Sequence, residues 1–183
     1  MRRCLPGSIR REKWEYALRL FQCLAVARRP LRVKELAEVL AVELNTGQIP
    51  RLNVTLRPRD ADEAVLSACS TLVVIIQPDT SRLPHVNDVK DNWVVQFSHY
   101  SVKEFLTSGR LQSSRQTLSQ FYISPEPAHT ILAQSCISTL LQLHNSENDL
   151  RGFPLAEYTA HNWVDHVQLD RINTDPNWDG IPL

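Results

Sequence analysis

Glycine is scarce in this 183-residue chain: Gly7, Gly47, Gly109, Gly152 and Gly180 are the only five. A P-loop or a dinucleotide-binding turn needs glycines a few residues apart so that backbone amides can approach the phosphates. No two glycines here are so spaced, which excludes nucleotide binding by those means. The nucleophile elbow G-x-S-x-G is also missing, and Ser98 and His99 are neighbours whose side chains would leave a strand on opposite faces, which disfavours a Ser/His hydrolase. The four cysteines (Cys4, Cys23, Cys69 and Cys136) include no C-x-x-C pair. Their wide spacing argues against a zinc site or disulfides and for buried thiols. His161 and His166 are five apart, off a common helical face, so they do not make the i, i+4 pair used for metals and are read as surface or helix-end residues.

Long apolar runs are absent too. Nothing approaches the roughly 20 residues that span a bilayer, and the basic N-terminal residues lead into an amphipathic segment, not a signal peptide. The chain is therefore read as cytoplasmic, with no membrane partner. Nor is there an excess of either charge: 20 basic residues balance 20 acidic ones. Neutrality argues against a grip on nucleic acid driven by net charge.

What is present is helical periodicity interrupted once by β-branched runs. Trp14, Ala17, Leu18, Phe21, Leu24 and Ala25 predict a helix over residues 12–27, closed by Arg28-Arg29-Pro30. Val33, Leu36, Ala37 and Leu40 predict a second over 33–42, with Lys34, Glu35 and Glu38 off its apolar face. Residues 45–58 carry no sustained pattern and read as a loop. Asp60 caps a third helix striped by Val65, Ala68, Cys69 and Leu72. Leu72–Ile76 and Trp93–Phe97 then read as paired strands around a long polar loop over residues 78–92. Three helices and a hairpin make a winged helix, expected over 11–110. Beyond it, Ser124-Pro125 starts a long helix and Pro154 another, a helical extension over 111–168; 169–183 reads as a linker or tail. The fold class expected is mainly α with a small β-hairpin.

The strand-to-helix corner carries the most detailed local chemistry. Ser101 and Glu104 match the S-x-x-E capping box, and Tyr100 and Phe105 match the staple positions beside it, which would set His99 at a rigid corner near a helix start. From spacing alone, His99 is either a corner residue bonded to the backbone or an anion contact.

Four blocks in order, ALRLFQCLAVARRPLRVKELAEVLAV from Ala17, VVQFSHYSVKEFLTSGRL from Val94, ISPEPAHTILAQSCISTLL from Ile123 and FPLAEYTAHNWVDHV from Phe153, resemble the region that follows the NACHT NTPase in fungal NLR-like (STAND) proteins, ahead of their ankyrin repeats. The first half of that region is the GPI inositol-deacylase winged-helix domain, a name that implies no deacylase activity here. Residues 97–105 are also similar to the F-x-H-x-S-F-Q-E-F block of animal NLR winged helices, whose histidine touches the β-phosphate of ADP and holds the receptor closed. His99 matches that histidine, while Val102-Lys103 departs from the Phe-Gln of the block. The resemblance implies a non-catalytic regulatory module. Its partners would be a NACHT domain in the same parent protein and ankyrin-type repeats downstream. This chain would hold no cofactor of its own, and ADP or ATP would sit in the neighbouring NTPase. Two other classes stay open: a stand-alone protein-interaction or DNA-binding winged helix, the latter opposed by Asp60-Ala61-Asp62-Glu63 at the start of the third helix, and a hydrolase.

Overall fold

The computed structural model describes residues 6–44, 48–69, 71–77, 92–114, 116–145 and 150–172. Helix α1 (Pro6–Val26) ends where Arg28-Arg29-Pro30 turns the chain into β1 (Leu31–Arg32), and α2 (Val33–Val39) follows at once. Two short strands, β2 (Val42–Glu43) and β3 (Arg51–Leu52), a 3-10 turn over Val54–Leu56 and α3 (Ala61–Cys69) lead to β4 (Val73–Ile76) and β5 (Val94–Phe97). The Asp60 cap is present, its Oδ1 accepting the Glu63 amide at 2.9 Å. The long loop expected over 78–92 lies almost wholly outside the described residues.

Strands β4 and β5 pair antiparallel in the register Val73↔Phe97 to Ile76↔Val94. The hairpin is wider than the sequence predicts, because β1 adds to the far edge of β5 through Leu31↔Val95 and Arg32↔Val94, giving the order β1-β5-β4. A two-residue strand has no period to read; it exists because Val95 and Leu31, both fully buried, pack under α1 and α2. Residues 45–58, expected as plain loop, contribute β3 and the 3-10 turn. The expected second helix stops at Val39, since Val42 and Glu43 pair with Leu52 and Arg51 in a small antiparallel sheet. Two tertiary bonds fix that sheet: the Arg19 guanidinium donates to the Val42 carbonyl at 2.9 Å, and the Asn53 amide donates to the Ala41 carbonyl at 2.9 Å.

After α4 (Tyr100–Leu106), α5 (Gly109–Gln112) and α6 (Gln116–Ser119), the Ile123 amide donates to the Leu106 carbonyl at 2.8 Å and delivers the chain to α7 (Pro125–Asn145). Helix α8 (Ala156–Ile172) returns along α7: His166 meets His129 near the start of α7, and Leu143 near its end joins Phe153 and Ala156. It runs into the span read as tail, to Ile172. The core crosses residue 110 without a break. Leu20, Leu31, Leu36 and Val95 share one buried cluster with Leu132, Cys136, Leu155 and Tyr158. At roughly 1.5–3 kcal/mol for each large apolar side chain buried, α7 and α8 contribute to the same cooperative interior as the three-stranded sheet. The whole is mostly helical with a small antiparallel sheet, a winged helix followed by helices.

Candidate functional site

The corner is built differently from the capping-box pattern. The N-cap of α4 is His99 itself, extended at φ −149° and ψ 148°, and its ring Nδ1 accepts the Ser101 amide at 3.2 Å, with the Ser101 hydroxyl 2.8 Å from the same nitrogen. The helix therefore starts two residues earlier than Ser101-x-x-Glu104 implies. Ser101 is the capped residue, not the cap, and Glu104 lies beyond the reach of that role. The staple assignment fails for the same reason: relative to His99 the staple positions are Ser98 and Lys103. Tyr100 is 70% exposed and Phe105 56% exposed, so neither clamps the strand to the helix.

This geometry fixes the chemistry of the ring. A backbone N–H can only donate, so Nδ1 must accept, and the neutral imidazole then keeps its hydrogen on Nε2. His99 is exposed, so Nε2–H is available as a donor. Beside it, Leu72, Val102, Phe105, Leu111, Leu118 and Phe121 line an apolar hollow of about 450 Å³.

Three further polar clusters were not legible as such in the sequence. Glu35 and Glu38, assigned by periodicity to the polar side of α2, are 1% and 2% exposed. The Arg29 guanidinium donates to both Glu35 oxygens at 2.8 and 2.7 Å, and the Arg32 amide donates to the same carboxylate at 2.8 Å. Arg32 in turn pairs with Glu157 of α8, holding the Glu157 carboxyl below its usual range. Glu38 takes a guanidinium hydrogen of Arg57 at 2.6 Å, yet burial still pushes its pKa up overall. Both arginines come from outside α2, which is why a helical wheel misplaces their partners.

The third cluster corrects the reading of the histidines. His166 is completely buried, whereas His161 is exposed on α8 and its Nδ1 lies 2.9 Å from the Glu157 carbonyl. His166 bridges His129 of α7 and Tyr158 of its own helix at 2.8 and 2.9 Å, and burial lowers its pKa to about 4. Cys23 and Cys136 are buried free thiols, as expected, raised by burial to about 12 and about 11. Cys4 and the Cys69 side chain lie outside the described residues. Among the described residues no three His, Cys, Asp or Glu side chains are placed to hold a metal, and no helix is long and apolar enough to cross a membrane.

The chain is 29% identical over 158 residues to the azaphilone pigments biosynthesis cluster protein L of Monascus ruber, a match covering 84% of this chain and 31% of that protein. It thus spans about a third of the length of this relative. No solved structure matches the chain. The family description "GPI inositol-deacylase, winged helix domain" matches residues 8–117, which run from the first turn of α1 into α6 and so take in the whole three-stranded sheet and its corner. This chain belongs to the GPI inositol-deacylase winged-helix family.

Proposed function

We propose that the chain is a non-catalytic regulatory module of a fungal NACHT-type signalling NTPase. It holds the NTPase in its ADP-bound closed state and links it to ankyrin-type repeats downstream, in the cytoplasm. The observation that carries this reading is the cap that His99 makes: its Nδ1 accepts the Ser101 amide, which leaves Nε2–H on an exposed ring, an arrangement suited to a phosphate contact from a neighbouring domain. The shortfall between this chain and its Monascus relative is compatible with such a multidomain parent. The thiols of Cys23 and Cys136 support a non-enzymatic role. Burial raises them, the reverse of the activation a nucleophile needs. The acidic first turn of α3, Asp62 and Glu63, opposes the DNA-binding alternative.

The test separates the cap from the contact. In a chain carrying its NTPase domain, His99→Asp keeps an N-cap acceptor but removes the donor and sets a negative charge against the phosphate. A charge-assisted hydrogen bond made only in the closed state is worth about 1.5–3 kcal/mol, so ADP should leave roughly 10- to 150-fold faster and basal activity should rise. Unchanged ADP release and unchanged basal activity in His99→Asp would overturn the proposal.

A further inference from the structure

The buried imidazole pair between α7 and α8 has a hydrogen-bond order that can be read from its partners. The Arg28 amide, in the turn that ends α1, donates to the Tyr158 hydroxyl oxygen at 3.1 Å. Tyr158 is fully buried, so its own hydrogen must find an acceptor, and His166 Nε2 lies 2.9 Å away. With Nε2 accepting, neutral His166 carries its hydrogen on Nδ1 and donates it to Nδ1 of His129 at 2.8 Å; His129 then keeps its hydrogen on Nε2. Every buried polar atom of the chain Arg28, Tyr158, His166, His129 is satisfied in this order. An added proton breaks it. On His166 it sets an N–H against the Tyr158 hydroxyl hydrogen, and on His129 it sets two N–H groups face to face across 2.8 Å.

We propose that His129 and His166 form a proton-controlled clamp, which fastens the helical extension to the α1–β1 turn of the winged helix only while both rings are neutral and lets α8 open from α7 when they are charged. The charged and titratable groups around the pair set its balance. On α8, Asp165 favours the imidazolium of His166, but it is itself paired with Arg28 at 3.3 Å. Arg28 disfavours both charged rings, and Arg29 lies over the Tyr158 ring at 5.1 Å. One step further out, Cys136 on α7 and Cys23 on α1 lie near Tyr158, and Glu35 on α2 lies near Cys136. Desolvation leads the downward shift at both histidines. A histidine pKa depressed by folding gives stability that is whole above the ordinary value near 6.5 and is lost as pH falls toward the folded value, about 4 for His166.

The experiment uses the full chain and two readouts. Imidazole nitrogen NMR at pH 7.5 should show His166 as the Nδ1–H tautomer and His129 as the Nε2–H tautomer; finding His166 with its hydrogen on Nε2 would overturn the clamp, whatever any variant does. Hydrogen exchange at the amides of residues 159–166, corrected for its intrinsic pH dependence, then gives the opening constant of α8 between pH 6 and pH 5. In the wild type more than one proton enters on opening, so between pH 6 and pH 5 the constant should rise by more than tenfold and by up to about 60-fold for two histidines of ordinary pKa near 6.5. In His129→Gln, a substitution at a half-buried ring that keeps an acceptor for His166, the rise should be no more than about tenfold. Equal slopes in the two proteins would refute the pairing.

Discussion

At the residue scale, His99 shows how a side chain outside the usual capping set takes that place. Ser, Thr, Asp and Asn dominate N-caps because a short side chain reaches the N2 or N3 amide, and an imidazole Nδ1 sits at a similar distance from its own backbone. The sequence displays a histidine beside a serine, and the better-known S-x-x-E pattern draws the cap to Ser101. Only the extended backbone of His99 decides between them. His99→Ala should therefore lose about 0.5–1 kcal/mol of stability, while His99→Asp should lose none, since aspartate is a stronger cap. Urea midpoints of the three proteins check this, and an equal loss in both variants would mean that the ring does more for the fold than cap α4. Glu35 is the other residue whose role local pattern conceals. Glu35→Gln removes the charge that faces Arg29 and weakens the acceptor of the Arg32 amide. The expected cost is about 2–3 kcal/mol, short of the 3–5 typical of a fully buried pair because the Arg29 side chain is 34% exposed and can turn to water. A change in thermal stability below 1 kcal/mol would place the pair among ordinary surface bridges.

At the element scale, α4 is a seven-residue helix with a single buried side chain, Leu106. Read as a staple residue, Phe105 would leave a large cavity on truncation, worth roughly 3–5 kcal/mol. Half out in water, it loses little: Phe105→Ala should cost about 1 kcal/mol or less, and a denaturant midpoint shift matching Leu106→Ala would contradict its exposure. The elements legible in the sequence were those that show a period, a cap or an unbroken β-branched run: α1, α2, α3, α7, α8, β4 and β5, together with α4, whose start the pattern sets two residues late. Those that were missed are held by partners far along the chain. Strand β1 has two residues and depends on β5 more than sixty positions later. Strands β2 and β3 depend on Arg19 of α1 for one of their carbonyls. Burial of Glu35, Glu38 and His166 follows the same rule, since an ion pair or a shared proton is a property of two segments and leaves no mark on the periodicity of one.

At the scale of the whole molecule, one core joins the three-stranded sheet to α7 and α8, and Ser98, His99 and Tyr100 of the corner stand exposed at the surface. That separation has a consequence for nucleotide. An exposed Nε2–H offers one hydrogen bond to a phosphate, worth about 1.5–3 kcal/mol when charge-assisted, against about 4–15 kcal/mol of translational and rotational freedom lost by a free ligand. Helix α4, at seven residues, adds little of its own field. A dissociation constant of 1 mM already corresponds to about 4.1 kcal/mol of net binding, so the isolated chain should show no saturable ADP binding below the millimolar range. Under the proposed function the same contact would become effective where a neighbouring NTPase domain has already bound and oriented the nucleotide, because the entropy is then lost elsewhere and the histidine need only favour one of two domain arrangements. Titration calorimetry of ADP into the 183-residue chain is the check. Micromolar binding would mean that the chain closes a complete phosphate site by itself, and His99 would then be one member of that site instead of a lone contact reaching across to a neighbouring domain.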